Sequence, residues 1–404
     1  MINWKQNLIM VWLSQFISIL GFSIAMPFFP FYIQELGVTG ETELKFWVAL
    51  VNAAGPLTMA FFAPLWGAVA DRYGRRLMML RANVGGAVVL ALMGVVPNVQ
   101  WLFVLRLIQG TLTGTVTAAQ TLVSVHTPDN RSGLALGILS SAVFTGHMVG
   151  NFAGGCVAEM YGYRMPFFCS GGLLLISTGL ILWGVEEEFV SRKIRNPWRS
   201  FRVGVARVLS AWSILALIGL MAFSRHFDAA MFPLFVQKVK GTLKGAALWT
   251  GSLNAICSVA ALLAGLMLGS LADRVAPPKI GKCSAFGAAV FMIVLSYAGG
   301  FLSLAAPRFG MVFCAGGLDP VFQIWLAKVT PQKSRGVLFG WALTCKSLGW
   351  AFSPLASGVV VATKWQFHGL YFAGAACFLA LIPMISLVVR RMELSEANHQ
   401  PEVH

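Results

Sequence analysis

Six ionisable side chains lie inside long apolar stretches of this sequence, where a charge is costly. Two are carboxylates and four are bases: Asp228, Asp319, Arg106, Arg225, Arg308 and Lys346. On insertion scales, an ionised side chain at the centre of a membrane helix costs about 2.5–3.5 kcal/mol, and such residues usually mark a functional site. A carboxylate in that position can exchange a proton, and a cation can hold an anion. These residues are therefore our first candidates for proton transfer and ligand binding.

The spacing of these charges predicts one ion pair directly. Arg225 and Asp228 are three residues apart, so on a continuous helix they share a face and neutralise each other. Lys346 lies about 16 Å into its apolar stretch at 1.5 Å per residue, close to the middle of a bilayer. Asp319 lies at a similar depth in its own stretch, and Arg308 is predicted nearer the rim.

The elements that hold these residues are predicted to be membrane-spanning helices. Of the 404 residues, 57% are hydrophobic and 11% are charged, whereas a soluble domain carries roughly 25% charged residues. A spanning helix needs about 20 apolar residues, and the chain contains twelve such stretches, which we number helices 1 to 12. They lie at about 7–33, 46–68, 79–96, 101–125, 133–157, 165–185, 211–237, 246–270, 280–298, 302–328, 335–361 and 368–390. The sequence therefore predicts an all-α membrane protein.

The distribution of basic residues predicts which side of the membrane each loop faces. Of the 30 Lys and Arg residues, 20 lie in segments on the side of the N-terminus and six lie in segments on the other side. This bias predicts that both termini are cytoplasmic. It also accounts for the net charge of +15 without a nucleic-acid partner. The loop 238–245 runs against the bias, because it carries three lysines on the outside.

The chain divides into two similar halves. Gly67-Ala-Val-Ala-Asp71-Arg72 recurs as Gly269-Ser-Leu-Ala-Asp273-Arg274, and Arg106 recurs as Arg308, in both cases at an offset of 202 residues. A duplicated six-helix unit places a substrate site between the halves, near the bilayer midplane. The predicted parts are an N-terminal bundle, a cytoplasmic linker, a C-terminal bundle and a cytoplasmic tail: 1–186, 187–210, 211–391 and 392–404.

Several motifs carry a family resemblance. The loop between helices 2 and 3, Gly67-Ala-Val-Ala-Asp71-Arg72-Tyr-Gly74-Arg75-Arg76, resembles the cytoplasmic loop motif of the major facilitator superfamily. Helix 4 contains Arg106-Leu-Ile-Gln109-Gly110, which is similar to a motif of the twelve-helix drug:proton antiporters of that superfamily. Helix 5 contains Gly146-His-Met-Val-Gly150-Asn151-Phe-Ala-Gly154-Gly155, which resembles the antiporter motif but has Asn151 in place of proline. The opening segment, with Met26-Pro27-Phe-Phe-Pro30, resembles MdtG-type multidrug efflux proteins.

The resemblance implies two pseudo-symmetric six-helix bundles and a conformational latch at the loop motif. Asp71 would meet the start of helix 11, where the helix dipole favours an anion. Arg72 and Arg75 would hold the latch, and Gly67 and Gly74 would allow the short turn. The alternative interpretation is that these charges belong to an ordinary basic loop.

A second group of residues is predicted to pack helices together. Gly146, Gly150 and Gly154 repeat every four residues, so one face of helix 5 is bare and a neighbour can approach closely. Pro354 lies at the matching place in helix 11. We assign Asn151 to the same packing group, with a conformational hinge as its alternative role.

In the implied fold, helices 1, 4, 7 and 10 line the cavity, and helices 10 and 11 are neighbours. That arrangement allows an ion pair between Asp319 and Lys346. We predict that Asp319 and Asp228 couple transport to protons, because no other carboxylate lies well inside the membrane. The predicted substrate-binding residues are Arg106, Gln109, Arg225, His226, Gln323, Lys346 and Trp350. Each ion pair has a second interpretation, as an internal salt bridge that only fixes packing.

The leading hypothesis is a secondary active transporter of the bacterial inner membrane that exports a small molecule by alternating access. The resemblance implies proton antiport and multidrug-type efflux. Because bases outnumber acids in the interior, export of an anionic metabolite, such as a polycarboxylate siderophore or an organic acid, is the alternative. A non-transporting membrane receptor on the same scaffold is a hypothesis of another class.

The sequence contains none of the enzymatic motifs that we considered. It contains no GxxxxGK[ST] nucleotide loop, no GxSxG elbow and no HExxH pair. The seven cysteines lie singly inside apolar stretches, without metal-ligand spacing. We therefore expect no cofactor and no metal. The expected partners are a small-molecule substrate, protons and the lipid bilayer, and the expected state is a monomer.

Overall fold

The computed structural model describes residues 3–112, 114–128, 131–188, 212–329 and 335–397. In these ranges the chain forms twelve membrane-crossing units, numbered as above. Four of them consist of more than one helical segment: helix 1 (Trp4–Ala25, Met26–Phe28 and Phe29–Glu35), helix 4 (Val99–Leu112 and Thr115–His126), helix 7 (Trp212–Arg225 and Phe232–Lys240) and helix 10 (Phe301–Gly316 and Leu318–Val329). The other eight are helices 2 (Glu41–Tyr73), 3 (Arg75–Met93), 5 (Ser132–Tyr161), 6 (Met165–Gly184), 8 (Ala246–Arg274), 9 (Pro277–Leu295), 11 (Arg335–Val361) and 12 (Gln366–Ala397).

Length and composition support the predicted membrane spans. Ten of the units are long and apolar enough to cross a bilayer, and Trp212–Arg225 of helix 7 is a shorter apolar helix. Helix 11, which has 27 residues, is consistent with the predicted count of twelve. Helix 12 is longer than predicted, because it continues to Ala397 and includes the start of the predicted tail. Most of the predicted linker at 187–210 lies outside the described residues.

The interrupted units are the first and fourth helices of each half. Helix 1 contains a 3-10 turn with Pro27, and helix 4 breaks beside Gly114, whose φ of 123° favours glycine. Helix 7 unwinds into turns at 226–231, and helix 10 breaks at Gly317. Unwound backbone inside a membrane is tolerated where it is buried in protein or lines a cavity. The breaks therefore mark the helices on which a binding site can be built.

Among the described residues, the closest backbone approaches between the two halves lie near one membrane face. We call the face with Trp4 and Ala397 the terminal face, and the other face the opposite face. Near the opposite face, a Cβ added to Gly155 of helix 5 would lie 2.9 Å from a backbone oxygen of helix 8. On the second pair of helices, a Cβ at Gly358 of helix 11 would lie 2.7 Å from the Cβ of Ala49 in helix 2. Both contacts depend on the absence of a side chain.

Toward the terminal face the same helices separate. A Cβ at Gly137 of helix 5, Gly269 of helix 8, Gly67 of helix 2 or Gly340 of helix 11 would meet no described atom within 4 Å. The halves therefore converge at the opposite face and diverge at the terminal face.

The glycine face of helix 5 packs against helix 1. Added Cβ atoms would lie 3.0 Å from Ile19 Cβ at Gly146, 2.6 Å from a backbone oxygen at Gly150 and 2.8 Å from a Cα at Gly154. Asn151 is buried beside this face and directs its backbone carbonyl toward helix 8. In helix 11, Pro354 is buried within the helix.

A carboxylate holds the start of helix 3. The Glu187 side chain accepts hydrogen bonds from the backbone N–H groups of Arg75 and Arg76, at 2.9 and 2.8 Å. The preceding residue, Glu186, is tied to the Asn7 side chain by two hydrogen bonds of 3.0 and 3.1 Å. The chain that leaves helix 6 is therefore fastened to helices 1 and 3.

Candidate functional site

A charged cluster lies between helices 7, 10 and 11. Asp319 begins the second segment of helix 10, directly after the break at Gly317. Its Oδ2 atom forms an ion pair with Lys346 Nζ and lies 3.9 Å from the Arg225 guanidinium, while its Oδ1 accepts a hydrogen bond of 3.1 Å from Gln323 Nε2. The cluster thus contains the predicted Asp319–Lys346 pair, and one carboxylate faces two cations.

The side chains of the cluster are partly exposed. The side chains of Asp319, Arg225 and Lys346 are 19%, 26% and 29% exposed. All three charged groups therefore keep some surface that is not covered by the described part of the protein.

An aromatic wall adjoins these charges. The His226 ring stacks on Trp350 with 5.0 Å between centroids, and Trp350 is 41% exposed. In the N-terminal half, the His147 Nδ1 atom of helix 5 lies 2.6 Å from Ser23 Oγ of helix 1. The cluster and its aromatic wall thus combine polar and aromatic groups, as ligand sites require.

The predicted pair between Arg225 and Asp228 is wrong. Asp228 instead forms an ion pair with Arg308 of helix 10, and its side chain is fully buried. The physical reason is the unwinding of helix 7 at 226–231, because residues three apart share a face only on a continuous helix. Arg308 is likewise not a rim residue, since its side chain is 8% exposed and packs 3.8 Å from the Phe232 ring centroid.

Arg106 and Gln109 lie apart from the charged cluster, in the core of the N-terminal half. The Arg106 guanidinium donates to Gln109 Oε1 at 2.5 Å and to the Val51 carbonyl of helix 2 at 3.1 Å. It also contacts the sulfur of Met26 and lies 4.8 Å from the Phe29 ring centroid. All these partners are neutral.

The latch residues are only partly described. Gly74 has a φ of 95° between helices 2 and 3, and Arg72 lies over the Tyr73 ring at 5.3 Å. The side chain of Asp71 and the first turn of side chains of helix 11 lie outside the described residues, so the latch contact stays a prediction.

The described residues contain no group of three or more His, Cys, Asp and Glu side chains that could hold a metal ion. The family model of the Major Facilitator Superfamily matches residues 11–299 and 218–403. The chain belongs to this superfamily.

Full-length relatives agree with the family assignment. The chain is 32% identical over 395 residues to the multidrug resistance protein MdtG of Escherichia coli O17:K52:H18, a match that covers 97% of both chains. MdtG from Escherichia coli K12 is equally similar. The protein is therefore a membrane transporter of the major facilitator superfamily and not an enzyme.

Solved structures share the fold. A variant of the nucleoside transporter NupG aligns with a TM-score of 0.75 at 14% identity, covering 94% of this chain and 99% of that one. The human organic anion transporter MFSD10 aligns with a TM-score of 0.70 at 16% identity, covering 97% of this chain and 100% of that one. The major facilitator fold of two six-helix bundles is thereby established for this chain.

Proposed function

We propose that this transporter exports a small molecule by alternating access, and that protonation of Asp319 couples export to the proton gradient. The observation that carries the proposal is the environment of Asp319. Among the described residues it is the only carboxylate in the membrane interior with a partly exposed side chain. The other interior acid, Asp228, is sealed against Arg308. The two acids predicted for proton coupling therefore have different roles in this proposal.

The coupling follows from the contacts of Asp319. While Asp319 is ionised, its oxygens hold Lys346, and Arg225 lies beside them. When a proton binds, the carboxyl group becomes neutral and both cations lose their counter-charge. Lys346 and Arg225 are then free to take other partners, and helices 10 and 11 lose their ion pair. A group that gains or loses its partner with protonation can bias two conformations of the halves.

Multidrug-type efflux is the leading form of this proposal. MdtG, to which the chain is similar over nearly its whole length, is named a multidrug resistance protein. His226 and Trp350 supply an aromatic surface of the kind that lipophilic compounds contact. In this form, the substrate lies against that surface and competes with a proton for Asp319.

Export of an anionic metabolite is the second candidate, and the local charge favours it. Two cations face one carboxylate at the site, and Arg106 has only neutral partners among the described residues. A carboxylate or phosphate group would bind between Arg225 and Lys346. Such an anion would favour a protonated Asp319, whereas a bound cation would favour an ionised one.

The two candidates therefore predict opposite proton movements on binding. In weakly buffered detergent solution, at a pH at which Asp319 is partly protonated, binding of a lipophilic cation should release protons from the protein, and binding of a tricarboxylate should take protons up. Asp319→Asn should abolish either signal, while the exposed acid Glu41, which pairs with Lys45 at 2.6 Å, provides the matched control Glu41→Gln. Flux driven by a pH gradient in proteoliposomes should fail for Asp319→Asn and persist for Glu41→Gln. Full gradient-driven flux in Asp319→Asn would refute proton coupling at this residue.

We further propose that the protein lies in a bacterial inner membrane with both termini in the cytoplasm. The excess of basic residues on the terminal face supports cytoplasmic termini in a bacterial inner membrane. The divergence of the halves toward that face then makes the described conformation open to the cytoplasm. A monomer suffices, because all residues of the charged cluster belong to one chain.

A further inference from the structure

A second cavity lies outside the central site, where helices 7, 9 and 12 reach the opposite face. Its volume is about 360 Å³, and its lining includes Phe235, Lys238, Ser296, Tyr297, Phe367 and His368. These residues come from the end of helix 7, the end of helix 9 and the start of helix 12. None of them belongs to the site around Asp319.

The cavity combines an apolar floor with a cationic and polar rim. Phe235 and Phe367 are buried and pack against each other at 5.3 Å between ring centroids. On the rim, Lys238 Nζ donates one hydrogen bond of 2.9 Å to Gln366 Oε1 and lies 5.3 Å from the Phe367 ring centroid, which leaves two N–H groups of its ammonium without a described hydrogen-bond acceptor. His368 Nδ1 lies 2.8 Å from Ser296 Oγ, so its Nε2 atom has no described partner either.

No acid neutralises this rim. Glu41 lies close enough to Lys238 for an electrostatic interaction, but its carboxylate is bound to Lys45 at 2.6 Å. Lys238 has no carboxylate within ion-pair distance among the described residues. The rim therefore presents toward the cavity a cation that has no carboxylate partner in the described part of the chain, together with a hydrogen-bonding imidazole.

The cavity also lies at the depth of the lipid headgroups. Tyr297 on its rim is 70% exposed, and Trp365, beside helix 12, is 71% exposed. Exposed tyrosine and tryptophan side chains at helix ends are typical of the boundary between hydrocarbon and water. A ligand that suits this place has an anionic head for Lys238 and His368 and an apolar chain for the two phenylalanines.

We propose that this cavity binds an anionic phospholipid, with the phosphate held by Lys238 and His368 and an acyl chain lying along Phe235 and Phe367. This assignment also gives a role to part of the 238–245 loop, whose lysines run against the charge bias of the chain. Lys240 has a different role, because it donates to the Lys244 carbonyl and lies 5.6 Å from the Trp249 ring centroid. It points to helix 8, away from the cavity.

The contrast between Lys238 and Lys240 provides a matched pair of variants. Full-length protein, stripped of lipid in detergent, would be titrated with phosphatidylglycerol and with phosphatidylcholine of the same acyl chains. Bound lipids would be counted by native mass spectrometry and affinity measured from the shift in unfolding temperature. The terminal face carries most of the basic residues and also attracts anionic lipid, so the total amount of bound lipid does not report on the cavity alone. The test is therefore the difference between variants.

Lys238→Gln should lower the apparent affinity of the protein for phosphatidylglycerol about fivefold, which is the effect of one basic residue near a membrane surface. Native mass spectrometry should then count one tightly bound phosphatidylglycerol fewer. Lys240→Gln should leave both readouts unchanged. Ala298→Trp, which fills the cavity without a change of charge, should also remove that lipid. Lys238→Arg keeps the charge and should retain it, which separates loss of the site from loss of the fold.

Three results would overturn the proposal. Equal effects of Lys238→Gln and Lys240→Gln would show that both lysines act only as ordinary surface charge and that the cavity is not a specific lipid site. Equal retention of phosphatidylcholine and phosphatidylglycerol at the cavity would show that the site does not select an anionic headgroup. Stabilisation by inorganic phosphate alone, equal to that by phosphatidylglycerol and lost in Lys238→Gln, would assign the cavity to a soluble anion instead.

Discussion

Arg106 and Arg308 occupy equivalent positions in the two repeats, but only Arg308 faces a carboxylate. Arg308 is paired with Asp228 of helix 7, whereas Arg106 donates to the neutral oxygens of Gln109 and Val51. Each arginine also lies over a phenylalanine of the preceding interrupted helix, Phe29 or Phe232 in the two halves. The contact between arginine and phenylalanine is thus repeated in both halves, while the carboxylate partner is present in the C-terminal half alone among the described residues. The C-terminal core is neutral at this position and the N-terminal core keeps an uncompensated cation.

Asp228→Asn should therefore destabilise the C-terminal half strongly. Asp228 is fully buried, so its loss leaves Arg308 as an unpaired interior charge, a change that typically costs about 3–5 kcal/mol. The measurement is the free energy of unfolding in detergent, followed by a folding-dependent signal. The double variant Asp228→Asn with Arg308→Gln should recover much of that loss, because no unpaired charge remains. Wild-type stability in the single variant would show that the pair is not formed in the membrane.

The contrast between the halves also shows how far the sequence could predict this site. Apolar stretches and the repeat at an offset of 202 residues are sufficient for the twelve helices and the two bundles. Breaks within helices are not visible in hydrophobic periodicity, because an unwound turn such as 226–231 has the same apolar composition as a helix. The pair between Arg225 and Asp228 assumed a continuous helix and was wrong for that reason.

The partner of Asp228 had no direct signal in the sequence. Phe29 and Phe232 are equivalent in the repeat, with an offset of 203, and Arg106 and Arg308 are equivalent with an offset of 202. This equivalence shows which positions correspond in the two halves, but not which side chains of helices 7 and 10 meet. The capping role of Glu187 had no signal either, because it depends on how the end of helix 6 crosses helix 3.

Ligand-induced stabilisation should identify the substrate class at the charged cluster. A ligand at 100 times its Kd stabilises the folded state by about 2.7 kcal/mol, which a thermal-unfolding screen detects readily. If carboxylates bind, Lys346→Gln and Arg225→Gln should abolish stabilisation by a tricarboxylate such as citrate. If lipophilic cations bind, Asp319→Asn should abolish stabilisation by tetraphenylphosphonium. Stabilisation that survives all three substitutions would place the ligand elsewhere.

Gly251→Leu should prevent closure at the opposite face. A side chain at Gly251 of helix 8 would overlap the backbone of helix 5 near Asn151 and Gly155, and forced overpacking costs about 1–3 kcal/mol. The population should shift toward conformations that are open at this face. Spin labels at Glu43 and Lys244, on the two halves, should report longer distances in the variant.

A control for that measurement is Gly172→Leu in helix 6, since an added Cβ there would meet no described atom within 4 Å. The control should leave the label distances unchanged. Unchanged distances in Gly251→Leu as well would mean that the contact between helices 5 and 8 does not limit opening.

Glu187→Ala should loosen the start of helix 3. The Glu187 carboxylate accepts from two of the backbone N–H groups that a helix start leaves without partners, and it lies at the positive end of the helix dipole. Loss of a capping side chain costs about 0.5–2 kcal/mol. Hydrogen exchange should rise in the first turn after Gly74, with little change at the start of helix 9, the equivalent helix of the other half. Glu188→Ala is the matched control, because the exposed Glu188 contacts the described bundle through its backbone N–H, which donates to His126 Nε2 at 3.2 Å and is kept in the variant. If both variants exchange equally fast, the fastening of helix 3 comes from the chain path and not from the Glu187 carboxylate.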